Sequence, residues 1–193
     1  MIVILNGSPI ENGNSDFICR KSKEFVEEYG DKGEIVDIMP ILDSMKTPFC
    51  VACATPCPKI CENGTPLLKD ALNKLRECDG IIAVSPVYFG AVTAQFKAFW
   101  DLTRHLRNEK ALYNKIGAGV AVGASRFGGQ ESTVRNIHDM MFIQGMTIVG
   151  SSYEDGMGHQ GVGFQKPAEK DEDGIKSLKK ICGRVVELGK KLK

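Results

Sequence analysis

Three short apolar runs constrain this chain more than any other feature. Residues 2–5 (Ile-Val-Ile-Leu), 80–84 (Gly-Ile-Ile-Ala-Val) and 116–122 show no alternation of polar and apolar positions. A strand with one wet face alternates, whereas a parallel strand covered on both faces does not. Each run leads into a glycine-bearing loop and then into a segment with helical spacing. After the first run, Phe17, Ile18, Phe25 and Val26 mark a helix to about Tyr29, with Gly30 as its stop. After the second, a helix from about Thr93 carries Phe96, Phe99, Trp100, Thr103 and Leu106 on one face, a stripe that reads as core. After the third, a helix ends near Gly145.

Two more strands complete the pattern, at residues 34–38 and 147–149. Pro66 opens a helix whose face is Leu67, Leu68, Ala71, Leu72 and Leu75, ending near Cys78. Ile175, Leu178, Ile181, Val185 and Leu188 define a closing helix with a solvated lysine face. Strand and helix alternate about five times, which predicts an α/β, doubly wound, five-stranded parallel sheet. The flavodoxin-like order 2-1-3-4-5 is expected, with its switch point between strands 1 and 3. All 193 residues fit one domain. Residues 39–65 and 152–174 show no periodicity, and structureless stretches that long in a small domain are usually functional. The second includes Gly156, Met157, Gly158 and His159, the histidine reading as an exposed bystander.

Charge excludes some partners. With 25 basic and 24 acidic residues the net charge is +1, which argues against nucleic-acid binding by bulk electrostatics. No apolar run is long enough to span a bilayer. The apolar N-terminus is too short for a signal sequence and lacks a basic prefix, so a reducing, cytoplasmic location is expected.

The first long stretch contains Cys50, Cys53, Cys57 and Cys61, four of the chain's seven cysteines within twelve positions. Four thiolates this close can wrap one compact metal centre, and sets of four cysteines typically hold iron–sulfur clusters. Pro56 and Pro58 flank Cys57 and stiffen the loop. Structural zinc usually takes two pairs separated by a longer spacer, which is missing here. Disulfides need an oxidising compartment. Zinc and unmetallated thiols remain the alternatives to a cluster. Cys19, Cys78 and Cys182 fall in or beside helices and read as buried structural thiols. Met39, Met45, Met140 and Met141 read as packing.

The first glycine loop, Asn6 to Ser15, has the layout of an anion site, with backbone N–H groups and a helix N-terminus facing one point. It lacks the Gly-Lys-Ser/Thr of a nucleotide P-loop and the G-x-G-x-x-G dinucleotide fingerprint. Ser8, Asn12, Asn14 and Ser15 offer hydroxyl and amide donors in place of cations, which suits a monophosphate held by dipoles. The alternative is an ordinary strand–helix turn with a capping serine. Tyr88 and Phe89 sit in a loop at the carboxyl end of a strand, where an aromatic ring can flank a planar ligand.

These loops together resemble those of the flavodoxin-like NAD(P)H-dependent FMN reductases. Gly7-Ser8-Pro9 with Gly13-Asn14-Ser15 resembles their phosphate loop, residues 85–90 their flavin-ring loop, and Gly128-Gly129-Gln130-Glu131 their third flavin loop. The cysteine run after strand 2 resembles that of the iron–sulfur flavoprotein branch, and the match covers essentially the whole chain. The resemblance implies FMN, a [4Fe–4S] cluster and a homodimer or homotetramer. It assigns Ser8, Pro9, Gly13, Asn14 and Ser15 to the phosphate side. Pro86, Val87, Tyr88, Phe89 and Gly90 would hold the ring, and Ala124, Ser125, Arg126, Gly128, Gly129 and Glu131 would close its other side. Cys50, Cys53, Cys57 and Cys61 would ligate the cluster. Two departures stand out. Relatives often carry basic residues where this chain has Ile10 and Glu11, and the C-x2-C-x3-C-x3-C spacing differs from the commonest opening.

The implied function is an oxidoreductase moving electrons between a ferredoxin-like donor, or NAD(P)H, and a small acceptor such as oxygen or peroxide. No catalytic side chain is required, because the cofactors carry the chemistry. The alternatives are an NAD(P)H-dependent flavin or quinone reductase with a structural zinc loop, and a non-enzymatic interaction module. Strand 2 lies at a sheet edge, so a cluster in its loop is expected to face the flavin of a neighbouring subunit.

Overall fold

The computed structural model describes residues 1–151 and 159–192. Strands β1 (Ile2–Asn6), β2 (Gly33–Asp37), β3 (Gly80–Pro86) and β4 (Ile116–Gly123) are all parallel, and with β5 (Thr147–Ile148) they follow the order β2-β1-β3-β4-β5. This is the flavodoxin-like arrangement expected from the apolar runs. Every residue of β1, β3 and β4 is buried, as unbroken apolar strands demand.

Helices cover both faces. Helices α1 (Asn14–Glu28) and α8 (Glu172–Lys191) pack on one face through Ile18, Val26, Leu178, Ile181 and Val185. The other face carries α2 (Ile38–Asp43), α4 (Pro66–Glu77), α5 (Ala94–Leu102) and α7 (Gln130–Ile143). The aromatic stripe is core: Phe96 and Phe99 are fully buried, and the Phe96 and Trp100 rings stack at 6.0 Å. The α5 helix is shorter than its stripe, because the chain turns at Thr103 into α6 (Arg104–Asn108). Helix α7 lies unusually close to β4. A Cβ on Gly119 would sit 3.0 Å from His138 Nε2, and one on Gly123 would sit 2.6 Å from Gln130 Nε2. Glycine at these positions lets the start of α7 settle on the end of β4.

Two long stretches hold more structure than periodicity suggests. Within residues 39–65 lie α2 and a five-residue helix, α3 (Ile60–Gly64). Both are too short to show a helical period. Beyond β5, a further strand β6 (Val162–Gln165) pairs in parallel with Val120–Gly123, while β5 pairs with Ile116 and Gly117. The fifth position of the sheet is therefore filled by two pieces in tandem. Periodicity leaves residues 162–165 as loop, because four residues preceded by Gly161 and interrupted by Gly163 carry too little pattern. Gly156, Met157 and Gly158 lie outside the described residues. Among the described residues no helix is long and apolar enough to cross a membrane.

Phe164 anchors this second piece. It is fully buried, and its ring lies where a Cβ on Gly174 of α8 would come within 2.6 Å. Phe164→Ala is expected to cost about 3–4 kcal/mol in urea unfolding, through lost burial and the cavity left behind. A loss below about 1 kcal/mol would show that β6 is peripheral to the core.

Candidate functional site

Pairing sets the carboxyl ends of β1, β3 and β4 side by side: Asn6 is level with Val84, and Pro86 with Val122. Three loops leave from this rim, at the place where open α/β sheets bind ligands. All three loops singled out from the sequence are gathered here.

The first loop is organised by Asn6, which is 4% exposed. Its Oδ1 accepts from Ser8 N–H at 3.1 Å, and its Nδ2 donates to Asp16 at 2.6 Å and Asp37 at 2.9 Å. Ser8 Oγ accepts from Ile10 N–H at 3.1 Å, closing a tight turn. Asn12 takes a left-handed conformation with φ 53° and donates its N–H to Asp16 Oδ2. Helix α1 then starts at Gly13 with no side-chain cap, and Ser15 is buried in its first turn. An uncapped first turn presents N–H groups to an anion. Asn14 braces the fold here, since its Oδ1 accepts from Ala168 N–H at 2.7 Å. That bond uses the amide oxygen, whereas a phosphate would engage the amide nitrogen.

The second loop is stitched to the first. Thr93 caps α5, accepting from Phe96 N–H at 3.0 Å, and its hydroxyl donates to Gly7 O at 2.6 Å. Gly7 lies so near α5 that a Cβ there would meet the Phe96 ring at 2.5 Å. Tyr88 and Ala91 exchange backbone bonds across a two-residue turn whose central residues, Phe89 and Gly90, have φ of 52° and 76°. Positive φ at both positions is the pattern of a type I′ turn, which favours Asn-Gly. Phenylalanine there is costly, and its ring is 109% exposed, so packing within the chain does not account for it.

The third loop latches onto the second. Gly129 has φ 93°, and a Cβ on it would lie 3.1 Å from Val87 and 3.3 Å from Gly90 Cα. Ser132 Oγ donates toward Gly90 O (2.8 Å) and Gly129 O (2.9 Å). Gln130 holds the loop from below, donating to Phe164 O at 2.9 Å and accepting from Gly128 N–H at 2.8 Å. Ala124, Ser125, Arg126 and Phe127 are exposed, and Arg126 pairs with Asp173 at 3.1 Å. A cavity of about 780 Å³ adjoins this loop, lined by Arg126, Gly129 and Glu131 together with β6 and the start of α8. None of the first- or second-loop candidates lines it. His159 lines this cavity and is exposed. Sequence reasoning did not assign Asn6, Asp16, Thr93 or Ser132. Their roles rest on contacts between elements, and only the position of Thr93 at a helix start was readable.

The four clustered cysteines line one small cavity of about 30 Å³ at the far end of α5, where Asp101 and Leu102 close it. Cys53 is exposed, while Cys50, Cys57 and Cys61 are half-buried. Ala52 N–H points at Cys50 Sγ at 3.4 Å, and Arg104 donates to Thr55 at 2.9 Å beside the cavity. The Cys61 thiol is pushed up by burial and by the closeness of the other three sulfurs. Such a set fits a cationic centre, which would stabilise all four as thiolates. Among the described residues no three His, Cys, Asp or Glu groups close on a single-ion site.

A buried charge clamp holds this segment. Glu62, next to Cys61, is 6% exposed and receives Arg76 Nη1 at 2.6 Å and Nη2 at 3.1 Å, with His105 Nε2 at 2.7 Å. Arg76 also reaches Glu109 at 2.9 Å, and Lys59 pairs with the same carboxylate. Hydrogen bonding from Arg76, helped by Lys59, holds the Glu109 carboxyl down at about 2. Burial pushes His105 down. The clamp ties the turn between Cys57 and Glu62 to α4 and α6. It was not legible in the sequence, because its members are spread from residue 59 to residue 109.

Comparison with known proteins gives the chain a family and its fold relatives. The model of the family described as NADPH-dependent FMN reductase matches residues 1–160. An iron-sulfur flavoprotein of Methanocaldococcus jannaschii is 36% identical over 199 residues, covering 100% of this chain and 98% of the relative. The iron-sulfur flavoprotein of Methanosarcina thermophila is 36% identical, with 95% and 94% covered. The crystal structure of a flavodoxin, WrbA-like protein from Agrobacterium tumefaciens superposes with a TM-score of 0.70 at 17% identity, covering 100% of this chain and 98% of that one, which shows the shared fold.

The cysteines divide into two chemical classes. Burial pushes Cys78 to about 11 and Cys182 to about 12, and it raises Cys19 as well. Brief iodoacetamide treatment of native, metal-free protein at mildly alkaline pH is expected to label Cys50, Cys53 and Cys57 first and Cys61, whose thiol is also pushed up, after them, read by peptide mass spectrometry. Cys19, Cys78 and Cys182 should label only after denaturation. Labelling of Cys182 ahead of Cys57 would contradict this division.

Proposed function

This chain belongs to the NADPH-dependent FMN reductase family and is a flavin-dependent oxidoreductase of that type, and from that premise we propose that it joins FMN to an iron–sulfur cluster of the [4Fe–4S] kind. When bound, FMN supplies one- or two-electron chemistry and the cluster one-electron chemistry. The observation that carries the proposal is that Cys50, Cys53, Cys57 and Cys61 line a single cavity in a chain of an FMN-dependent family.

In this reading the first loop receives the FMN phosphate. The uncapped start of α1 offers backbone N–H groups, and Ser8, Pro9, Gly13, Asn14 and Ser15 shape the cradle. Pro86 ends β3 and leads into the second loop, Val87 and Gly90 bring that loop against the third, and Tyr88 and Phe89 present aromatic faces to a flat ring. Ala124, Ser125, Arg126, Gly128, Gly129 and Glu131 enclose the opposite side. The cysteines hold the cluster, Lys59 and Arg104 line the same cavity and offset thiolate charge, and the Glu62–Arg76 clamp fixes the short helix α3 that carries Cys61. A reducing, cytoplasmic setting would keep the seven cysteines as thiols. No side chain is given an acid–base role.

The two sites stand at opposite ends of α5, whose nine residues span about 13 Å. Strand β2 lies at the sheet edge, and a cluster site in the segment after it would serve the flavin loops of a neighbouring subunit, in a homodimer or homotetramer. A ferredoxin-like protein or NAD(P)H would be the donor and a small oxidant the acceptor.

The test is metal, acid-labile sulfide and flavin analysis of anaerobically purified protein, alongside Cys53→Ser. We expect iron, sulfide and FMN in the native protein. Cys53→Ser should lose the cluster's visible absorption and keep its flavin. Zinc in place of iron and sulfide, or unchanged cluster absorption in the variant, would overturn the assignment.

A further inference from the structure

The first loop is an unusual place for a phosphate. Residues 6–16 contain Glu11 and Asp16 and no lysine or arginine. Asp37 adds a third carboxylate through Asn6 Nδ2. The neighbouring turn (Ala168–Lys170), tied to α1 through Asn14, brings one acid, Glu169, and one base, Lys170. The corner that faces a flavin phosphate thus carries a negative balance.

Asp16 does more than add charge. It lies in the first turn of α1, the helix whose N-terminus has no side-chain cap. Its Oδ2 accepts the Asn12 N–H, which comes from the loop itself, and its Oδ1 accepts from Asn6 Nδ2 at 2.6 Å. A carboxylate placed there takes a share of the attraction that the loop N–H groups and the helix N-terminus would otherwise offer to a phosphate. The loop already holds an anion of its own.

We propose that Asp16 is a specificity-determining residue of the phosphate loop, an internal anion against which the FMN phosphate binds. It weakens the preference for phosphorylated over unphosphorylated flavin and leaves FMN readily exchangeable. This inference rests on the FMN reading above. It concerns the phosphate alone, so riboflavin, which has the same ring and no phosphate, isolates it.

The experiment measures dissociation constants of FMN and riboflavin on flavin-stripped protein by fluorescence quenching, for the native chain and Asp16→Asn. The variant should bind FMN roughly tenfold more tightly, with riboflavin changed less than about twofold, because one like charge near the phosphate is gone. The native chain gives a second reading that needs no variant. Raising salt from about 0.05 to 0.5 M should tighten FMN relative to riboflavin, since screening relieves like-charge repulsion. An FMN affinity that falls with salt relative to riboflavin would overturn the proposal. So would parallel changes for both flavins in Asp16→Asn, which would mark Asp16 as a loop brace only. If the native chain binds neither flavin under any condition, the FMN reading itself fails, and this inference fails with it.

Discussion

Burial of β1, β3 and β4 on both faces is the constraint that the rest of the molecule obeys. A strand with no wet face is apolar along its length, and in β1 and β3 the polar residues Asn6 and Ser85 come only at the carboxyl end. Polar and aromatic groups are displaced to the loops at its end. Because the three strands pair in parallel and end nearly level, those loops emerge together. Close packing then fixes their mutual positions. Gly7 lies under the Phe96 ring and Gly129 close against Val87 and Gly90 Cα, so each loop is located by the packing of its neighbour.

Helix α5 relates the two sites. Its first turn is capped by Thr93, whose hydroxyl also holds Gly7, and its last turn closes the cysteine cavity through Asp101 and Leu102. The stripe of Phe96, Phe99 and Trp100 between them is rigid core. A segment with little packing of its own, residues 50–61, is held by charge: Glu62 is buried and acceptable there only because Arg76 meets it with two hydrogen bonds. The exposed turn at Phe89 is the opposite case, an aromatic ring presented outward in a backbone conformation that favours glycine or asparagine. Under the proposed function, both features place groups for a bound ligand at some cost to local stability.

Much of this was legible in the sequence, for identifiable reasons. Unbroken apolar runs revealed the central strands, and helical spacing revealed α1, α4 and α8, since long periodic segments carry many votes. Four cysteines in twelve positions and three glycine-bearing loops marked both sites. What escaped was either short or non-local. The strand β6 has four residues, and α3 has five. Asn6 joins Asp16 and Asp37, and Arg76 joins Glu62 to Glu109, across gaps that no local pattern spans. The tie between Asn14 and the turn at Ala168, made through the amide oxygen, is non-local in the same way.

Under the proposed function, one chain carries two electron-accepting sites, one at each end of α5, a helix that buries Phe96, Phe99 and Trp100 and exposes Lys97 and Asp101. An anaerobic reductive titration of fully loaded protein, followed by absorbance, tests it most directly. Uptake of about three electrons per chain is expected, two assigned to the flavin and one to the cluster, with bleaching at both sets of wavelengths. Uptake of about two electrons, with flavin bleaching alone, would leave the cysteine cavity outside the redox chemistry and contradict the account.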